Sequence, residues 1–258
     1  MDKRIGAQLY TLRDYCKNAD QLKDTLEKVH QIGYKTIQIS GVDSSITAKE
    51  IREAADCFGL QIICTHSDVS DVYNNLPKII EDHKVLGCNI VGIGNMPREY
   101  SADKNLLFDF IKKTSAVAEE LKKNDMVFSY HNHAYEFTKM DGKYVFDIIM
   151  ESTPADCYKF LLDVYWVAIG GIDPADWLMH CKDRLSSVHF KDLRIPAGEN
   201  SPQYAEILEG NLNWDKIFDA CEKANAPYAF VEQDNCYGRD PFACMEISYK
   251  NLSEKGFL

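Results

Sequence analysis

Imidazole and carboxylate side chains occur where several short apolar runs of the sequence end. His66, His131 and His189 end or follow such runs, Asp163 ends Phe-Leu-Leu-Asp, and Glu232 ends Ala-Phe-Val-Glu. If these runs are neighbouring parallel strands, the side chains converge, and they repel or stay unpaired unless a cation lies between them. Mixed oxygen and nitrogen ligands suit Mn²⁺, Mg²⁺, Co²⁺ or Zn²⁺. The sequence therefore predicts a site for one divalent metal ion.

Each of these residues, taken alone, also has an ordinary structural explanation. A carboxylate that closes a strand is often the N-cap of the next helix, which applies to Asp163 and Glu232. His189 alone is equally typical of a core histidine bonded to a backbone carbonyl. The histidines outside the strand ends (His30, His83 and His180) are predicted to be ordinary helix residues. It is the joint occurrence of the strand-end residues that favours a metal site.

Strand-like and helix-like segments alternate along the whole chain. The predicted strands are Ile5–Tyr10, Thr36–Ser40, Gln61–Thr65, Asn89–Ile93, Met126–His131, Phe160–Val164, Ser186–His189 and Tyr228–Glu232. The predicted helices are Ala19–Gln31, Thr47–Phe58, Leu76–Leu86, Asp103–Lys123, Tyr144–Glu151, Pro174–Cys181, Trp214–Ala224 and Asp240–Asn251. This alternation is typical of a parallel α/β sheet with right-handed crossovers.

Eight strand–helix units without a linker predict a single-domain (β/α)8 TIM barrel over residues 1–258. The alternative is a doubly wound open sheet, which usually has a glycine-rich turn after its first strand. The turn here reads Gln8-Leu9-Tyr10-Thr11, which favours the barrel. Catalytic groups of such barrels lie at the carboxyl ends of the strands, where the candidate ligands fall.

Composition limits the classes of partner. A formal net charge of −11 argues against broad nucleic-acid binding. No apolar run approaches the roughly 20 residues of a membrane span, and the N-terminus lacks the apolar core of a signal peptide. The nine cysteines form no CxxC pair, which is typical of a reducing cytoplasm. We therefore expect a cytoplasmic protein with a small-molecule substrate and neither nucleic-acid nor membrane partners; homo-oligomerisation stays open.

Several motifs together resemble the sugar phosphate isomerase/epimerase family of the xylose isomerase-like TIM barrel superfamily. The resemblance covers nearly the whole chain. The matching segments are Gly6–Arg13, Tyr130–His133 with Glu136-Phe137, Leu162–Trp166, Val188–Asp192, Val231–Asp234 and Gly238–Pro241.

The resemblance implies one divalent metal held by a Glu, Asp, His and Glu set at the ends of the last four strands. Asp163, His189 and Glu232 match the last three ligands. The first ligand is open, because His131 stands at the strand end where many family members have Glu. We favour Glu136, a few residues further on, with His131 and His133 as alternatives.

Such a site supports proton removal from the carbon next to a carbonyl, with the ion stabilising the negative oxygen. The candidate acid–base residues are Glu136, Glu232, His131 and His133. Lys191 follows His189 by two residues and is predicted to hold a substrate oxygen, the alternative being a solvated surface lysine. The predicted substrate contacts are Gln8, Tyr10, His66, Trp166 and Arg239; for Tyr10 and Trp166, barrel packing is an equal alternative.

The expected activity is a metal-dependent isomerase or epimerase acting on a small polyhydroxylated, sugar-like substrate. The same enolate chemistry also serves a dehydratase or lyase acting on an inosose or a 3-keto-glycoside. No glycine-rich turn indicates a phosphate-binding site. Two rival hypotheses are an endonuclease IV-like phosphodiesterase, which needs more metal ligands and a basic groove, and a non-catalytic sugar-binding barrel.

Overall fold

The computed structural model describes residues 1–258 and contains a closed barrel of eight parallel strands. Each strand pairs with the next one in the chain, and the last pairs with the first. The strands are β1 Ile5–Gln8, β2 Thr36–Ile39, β3 Gln61–Ser67, β4 Ile90–Ile93, β5 Val127–His131, β6 Tyr158–Asp163, β7 Leu185–Phe190 and β8 Ala229–Val231. The predicted (β/α)8 TIM barrel is confirmed, and the open sheet is excluded.

Helices connect successive strands on the outside of the barrel. They are α1 Ala19–Ile32, α2 Ala48–Cys57, α3 Val69–Asn74, α4 Leu76–Leu86, α5 Lys104–Lys122, α6 Val145–Ser152, α7 Val164–Ile169, α8 Pro174–His180, α9 Trp214–Lys223 and α10 Pro241–Glu254. The sequence did not predict α3 and α7. Two antiparallel hairpins were also not predicted: Lys139–Met140 with Lys143–Tyr144, and Asp192–Arg194 with Gln203–Ala205.

Local sequence signals fix the helix ends. Thr47 and Glu50 form a reciprocal capping box at the start of α2, because each side chain accepts a hydrogen bond from the other residue's backbone N–H. Pro241 begins α10 without losing a helical hydrogen bond. Gly87 ends α4 in the left-handed conformation, at φ +66°. These signals explain why the predicted and observed helices agree closely.

The interior of the barrel is packed below the strand ends. The Phe230 ring fills the space beside Gly6, where an added Cβ would lie 2.2 Å from the ring. Gly6 is therefore required for close packing inside the barrel. None of the helices combines the length and the apolar character that crossing a membrane requires.

Candidate metal centre and active site

Four side chains meet at the carboxyl ends of β5 to β8. His131 ends β5, Asp163 ends β6, His189 lies near the end of β7, and Glu232 follows β8. All four are buried, and one potential ligand atom from each lies within 4.8 Å of the other three. Asp163 and His189 are register partners on adjacent strands, which fixes their proximity. The ends of four neighbouring strands thus bring His131, Asp163, His189 and Glu232 into one compact set of potential ligands, which we call the donor group.

Each histidine of this group has one nitrogen facing an oxygen outside the group. His189 Nε2 lies 2.7 Å from Gln38 Oε1, and His131 Nδ1 lies 2.8 Å from the Gly94 carbonyl. Because these oxygens can only accept, the facing nitrogens carry the protons. His189 Nδ1 and His131 Nε2 then turn towards Asp163 Oδ2, at 3.7 and 3.3 Å. This arrangement is typical of metal-binding histidines.

Asp163 has two roles. Its Oδ1 accepts hydrogen bonds from the backbone N–H groups of Tyr165 (2.9 Å) and Trp166 (3.2 Å), which caps α7. Its Oδ2 faces the two histidines. The Asp163 N–H donates to Asn132 Oδ1 at 2.9 Å, which ties the end of β6 to the segment after β5. Both sequence-based explanations of Asp163, the N-cap and the site residue, are therefore compatible.

The ammonium group of Lys191 lies inside the same site. Its Nζ is 2.8 Å from Glu232 Oε2, 3.1 Å from Asp163 Oδ2 and 3.0 Å from Asp234 Oδ1. Lys191 is only 1% exposed, so the alternative of a solvated surface lysine is wrong. A buried ammonium is stable here because three carboxylates surround it.

The pKa values show how strongly these charges interact. Burial opposes ionisation of Asp163 and Glu232, but the Lys191 ammonium and the neighbouring imidazoles hold the pKa of both carboxyl groups well below their usual range. Burial likewise disfavours protonated His189, yet Glu232 and Asp163 raise its pKa. The site therefore favours positive charge at His189, as a site that attracts cations would.

The donor set fits a divalent ion. His189 Nδ1 is buried, makes no hydrogen bond, and lies 2.9 Å from Glu232 Oε2. Two imidazole nitrogens and two carboxylate oxygens form the borderline-hard ligand set that Mn²⁺, Co²⁺ and Zn²⁺ accept, and Mg²⁺ accepts the oxygens. The buried His189 nitrogen that faces this carboxylate is the observation that supports metal binding by this group.

A polar cavity of about 490 Å³ opens above the donor group. Only two of its 15 lining residues are hydrophobic. Six predicted site residues line it: Tyr10, His66, His131, His133, Lys191 and Glu232. Asp163 and His189 are fully buried and are absent from the lining.

Two imidazoles on the cavity wall are neutral. Burial lowers the pKa of His133 to about 3, with a further contribution from His131. Burial, His131 and His189 together lower the pKa of His66 well below its usual value. His133 Nδ1 and His66 Nε2 are buried without partners. Both rings are thus able to accept a hydrogen bond from a bound molecule.

Glu136 lies outside the donor group. Its carboxylate accepts hydrogen bonds from the Tyr130 hydroxyl and, at 2.8 Å, from the His133 backbone N–H. Glu136 is fully buried and does not line the cavity. Burial raises its pKa to about 7, despite these hydrogen bonds. The structure therefore does not bring Glu136, the residue favoured as first ligand and as a base, to the donor group; it brings His131 there.

Three predicted substrate contacts do not reach the cavity. Gln8 is fully buried, and its Oε1 accepts a hydrogen bond from the Tyr10 N–H. Arg239 pairs with Glu206 at 2.8 Å. Trp166 lies behind His133, with a ring-centroid separation of 5.1 Å. Gln8 and Arg239 are corrected to structural roles, and Trp166 supports the wall.

Some cavity residues were not predicted. Asp68, Ser67 and Ser40 line the wall, and β3 extends to Ser67, two residues beyond the predicted end. Asp68 is the N-cap of α3, a signal that was available in the sequence Asp68-Val69-Ser70. Gln38 lies one residue before the end of β2, but nothing in the sequence pairs it with His189, 151 positions away.

The family model of the xylose isomerase-like TIM barrel matches residues 26–235. The chain belongs to this family. No curated protein matches the chain. The match spans all of the strands from β2 to β8 and all four members of the donor group.

Solved structures of this family resemble the chain over its full length. A sugar phosphate isomerase/epimerase from Parabacteroides distasonis is 25% identical with a TM-score of 0.78, over 100% of this chain and 96% of that protein. A probable 3-DHS dehydratase from Bacillus anthracis is 14% identical with a TM-score of 0.75, over 98% of this chain and 99% of that protein. A xylose isomerase-like TIM barrel protein from Mycobacterium smegmatis, in complex with magnesium, is 16% identical with a TM-score of 0.74, over 98% of this chain and 97% of that protein.

Proposed function

We propose that this chain is a divalent-metal-dependent isomerase or epimerase of a small polyhydroxylated carbonyl compound. The observation that carries the proposal is the convergence of His131, Asp163, His189 and Glu232 beneath a polar cavity. The similarity to the Parabacteroides distasonis isomerase/epimerase supports the reaction class. The magnesium complex of the Mycobacterium smegmatis protein supports a metal in this fold.

His131 Nε2, Asp163 Oδ2, His189 Nδ1 and Glu232 Oε2 would hold the ion. The ion supplies a Lewis acid that stabilises negative charge on the oxygen of an enolising substrate. Gln38 and the Gly94 carbonyl keep the two imidazoles in the tautomers that the site needs. Asn132 and the backbone of α7 hold Asp163 in place.

Proton transfer is assigned to His133 and Glu232, which come from different sides of the barrel mouth and both line the cavity. His133 has an unpartnered ring nitrogen, Nδ1, and its low pKa means that a proton taken up there is readily returned. Return of the proton to the opposite face gives an epimer, and return to the next carbon gives an isomer. His66 and Tyr10 line the same cavity and would bind substrate hydroxyl groups.

The cavity suits a neutral substrate. Its charged lining residues are Asp68, Lys191, Glu232 and Asp234, so Lys191 is the one cationic side chain. Three carboxylates already surround that ammonium. No cationic side chain of the lining is left to pair with a phosphate group, so we propose an unphosphorylated, sugar-like substrate.

A dehydratase is the second candidate. Burial and the Glu232 charge raise the pKa of Asp234, which lines the cavity. A carboxyl group with a raised pKa is suited to protonating a departing hydroxyl group. The fold similarity to the Bacillus anthracis protein is compatible with this reaction. The phosphodiesterase hypothesis is disfavoured, because the structure holds a single donor group and an acidic cavity.

The cellular setting is part of the proposal. All nine cysteines are free, which supports a reducing cytoplasm. Homo-oligomerisation stays open, and no nucleic-acid or membrane partner is proposed.

The test is an activity screen of metal-stripped and metal-reloaded protein with ketoses, inososes and 3-keto-glycosides in heavy water. We expect NMR to detect deuterium at the carbon next to the carbonyl, or slower turnover of substrate deuterated there. Both effects should require metal and disappear in Glu232→Gln. A phosphorylated ketose belongs in the same panel and should be a poorer substrate than its neutral counterpart.

The matched control is Glu209→Gln, an exposed carboxylate on the barrel surface. It should leave exchange unchanged. An active preparation that keeps its rate after chelation and shows neither exchange nor an isotope effect would exclude the proposed chemistry. Loss of water from the exchanging substrate would instead select the dehydratase.

A further inference from the structure

Lys191 contacts the carboxylate oxygens that the proposed metal ion would use. Its Nζ lies 3.1 Å from Asp163 Oδ2 and 2.8 Å from Glu232 Oε2. The same two oxygens face the ligand nitrogens of the site, Glu232 Oε2 at 2.9 Å from His189 Nδ1 and Asp163 Oδ2 at 3.3 Å from His131 Nε2. An ammonium and a divalent ion cannot both approach these oxygens closely without strong repulsion.

The ammonium also has a second anchor on the cavity wall. Asp234 Oδ1 lies 3.0 Å from Nζ, and Asp234 is outside the four-residue donor group. The rings of Trp166 and Tyr204 each lie 5.6 Å from Nζ, within the range of cation–π attraction. The ammonium is therefore able to leave Asp163 and Glu232 and still remain paired.

We infer that Lys191 is a built-in cation that competes with the metal ion for Asp163 and Glu232. Metal binding moves the ammonium onto Asp234, at the wall of the cavity, where it meets the substrate. The inference rests on the proposed metal site. The metal ion then has a second effect, because its binding to the donor group determines where the Lys191 ammonium lies and whether it contacts the substrate.

Mn²⁺ affinity of the metal-stripped protein tests this inference. Calorimetry and electron paramagnetic resonance would compare the wild type with Lys191→Met, which keeps most of the side-chain length and removes the charge. We expect Mn²⁺ to bind Lys191→Met at least about tenfold more tightly, because the variant has no ammonium that the ion must displace from Asp163 and Glu232. The matched control is Lys216→Met, whose ammonium also contacts two carboxylates, Asp173 at 2.8 Å and Asp176 at 3.0 Å, on the exposed surface. Its Mn²⁺ affinity should equal that of the wild type.

A second measurement serves if metal-free Lys191→Met does not fold. Protein produced with Mn²⁺ is treated with a chelator, and Mn²⁺ should leave Lys191→Met more slowly than the wild type. Equal or weaker retention in the variant would overturn the inference while the proposed metal site stands. Mn²⁺ binding by Lys191→Met but not by the wild type would support competition. It would also mean that the wild type has no resident metal cofactor. Absence of Mn²⁺ binding in both proteins would overturn the inference and the proposed function together.

Discussion

The Glu136→Gln substitution tests whether Glu136 is a buried neutral carboxyl group or a metal-binding carboxylate. Glu136 is completely buried, and its oxygens accept hydrogen bonds from the Tyr130 hydroxyl and the His133 backbone N–H. Burial raises its pKa from 4.5 to about 7. A metal ligand would be ionised throughout this range, so the protonation of Glu136 distinguishes the two roles.

The sign and size of the effect follow from the two pKa values. The unfolded chain releases the Glu136 proton near pH 4.5, whereas the folded protein retains it until about pH 7. The associated stability is therefore fully present below pH 4.5 and is lost as the pH rises to about 7. At about 1.4 kcal/mol for each tenfold step in the proton equilibrium, the loss is about 3 kcal/mol as an order of magnitude. The glutamine of Glu136→Gln does not titrate, so it abolishes this contribution.

Urea unfolding of wild type and variant at several pH values measures the effect. The free energy of unfolding of the wild type relative to Glu136→Gln should fall by about 3 kcal/mol between about pH 5 and about pH 8. Glu206→Gln is the control. Burial disfavours ionised Glu206, but hydrogen bonds and the Arg239 charge lower its pKa, so Glu206 is ionised in both the folded and the unfolded protein over this pH range. The difference in the free energy of unfolding between wild type and Glu206→Gln should therefore not change with pH. If the free-energy difference between wild type and Glu136→Gln also did not change with pH, Glu136 would not be a neutral carboxyl group. It would then be a candidate metal ligand again.

Two further predictions concern the donor group. Gln38→Leu should weaken metal binding by about 10- to 100-fold, because His189 Nε2–H loses its acceptor; a chelator competition measures this, and unchanged affinity would contradict the assigned tautomer. His189→Ala should abolish metal binding, whereas His83→Ala should retain it and lower the melting temperature, since buried His83 bonds Thr65 Oγ1 at 2.9 Å and the Ile79 carbonyl. Equal metal loss in the two histidine variants would contradict the site.

Local signals made most of the fold predictable. The capping box of Thr47 and Glu50 and the first-turn Pro241 fixed helix starts within a residue or two. The alternation of strands and helices left few topologies, because parallel crossovers are right-handed. Short elements such as α3 and α7 escaped prediction, because six residues carry too little periodicity to be recognised.

Side-chain direction explains why the structure brings His131, and not Glu136, to the donor group. Glu136 and His131 are five positions apart, and sequence distance gives no information about which of them turns towards the barrel axis. The strand pleat carries His131 inward, and the neighbouring Tyr130 faces outward, where its hydroxyl binds Glu136. Strand alternation alone therefore favoured His131, but the family pattern of a Glu ligand outweighed it.

The charges of the site favour a cation in addition to Lys191. Asp163, Glu232 and Asp234 bring three carboxyl groups together, and the ammonium of Lys191 compensates one negative charge. Burial lowers the pKa of His189, but Glu232 and Asp163 raise it above its usual value, so without an ion His189 supplies further positive charge, whereas burial and the other imidazoles keep His66 and His133 neutral. The proposed divalent ion between Asp163 and Glu232 would take the place of that proton. The cavity would then be close to neutral at its floor, which is the condition under which an uncharged polyhydroxylated molecule binds without a large desolvation cost.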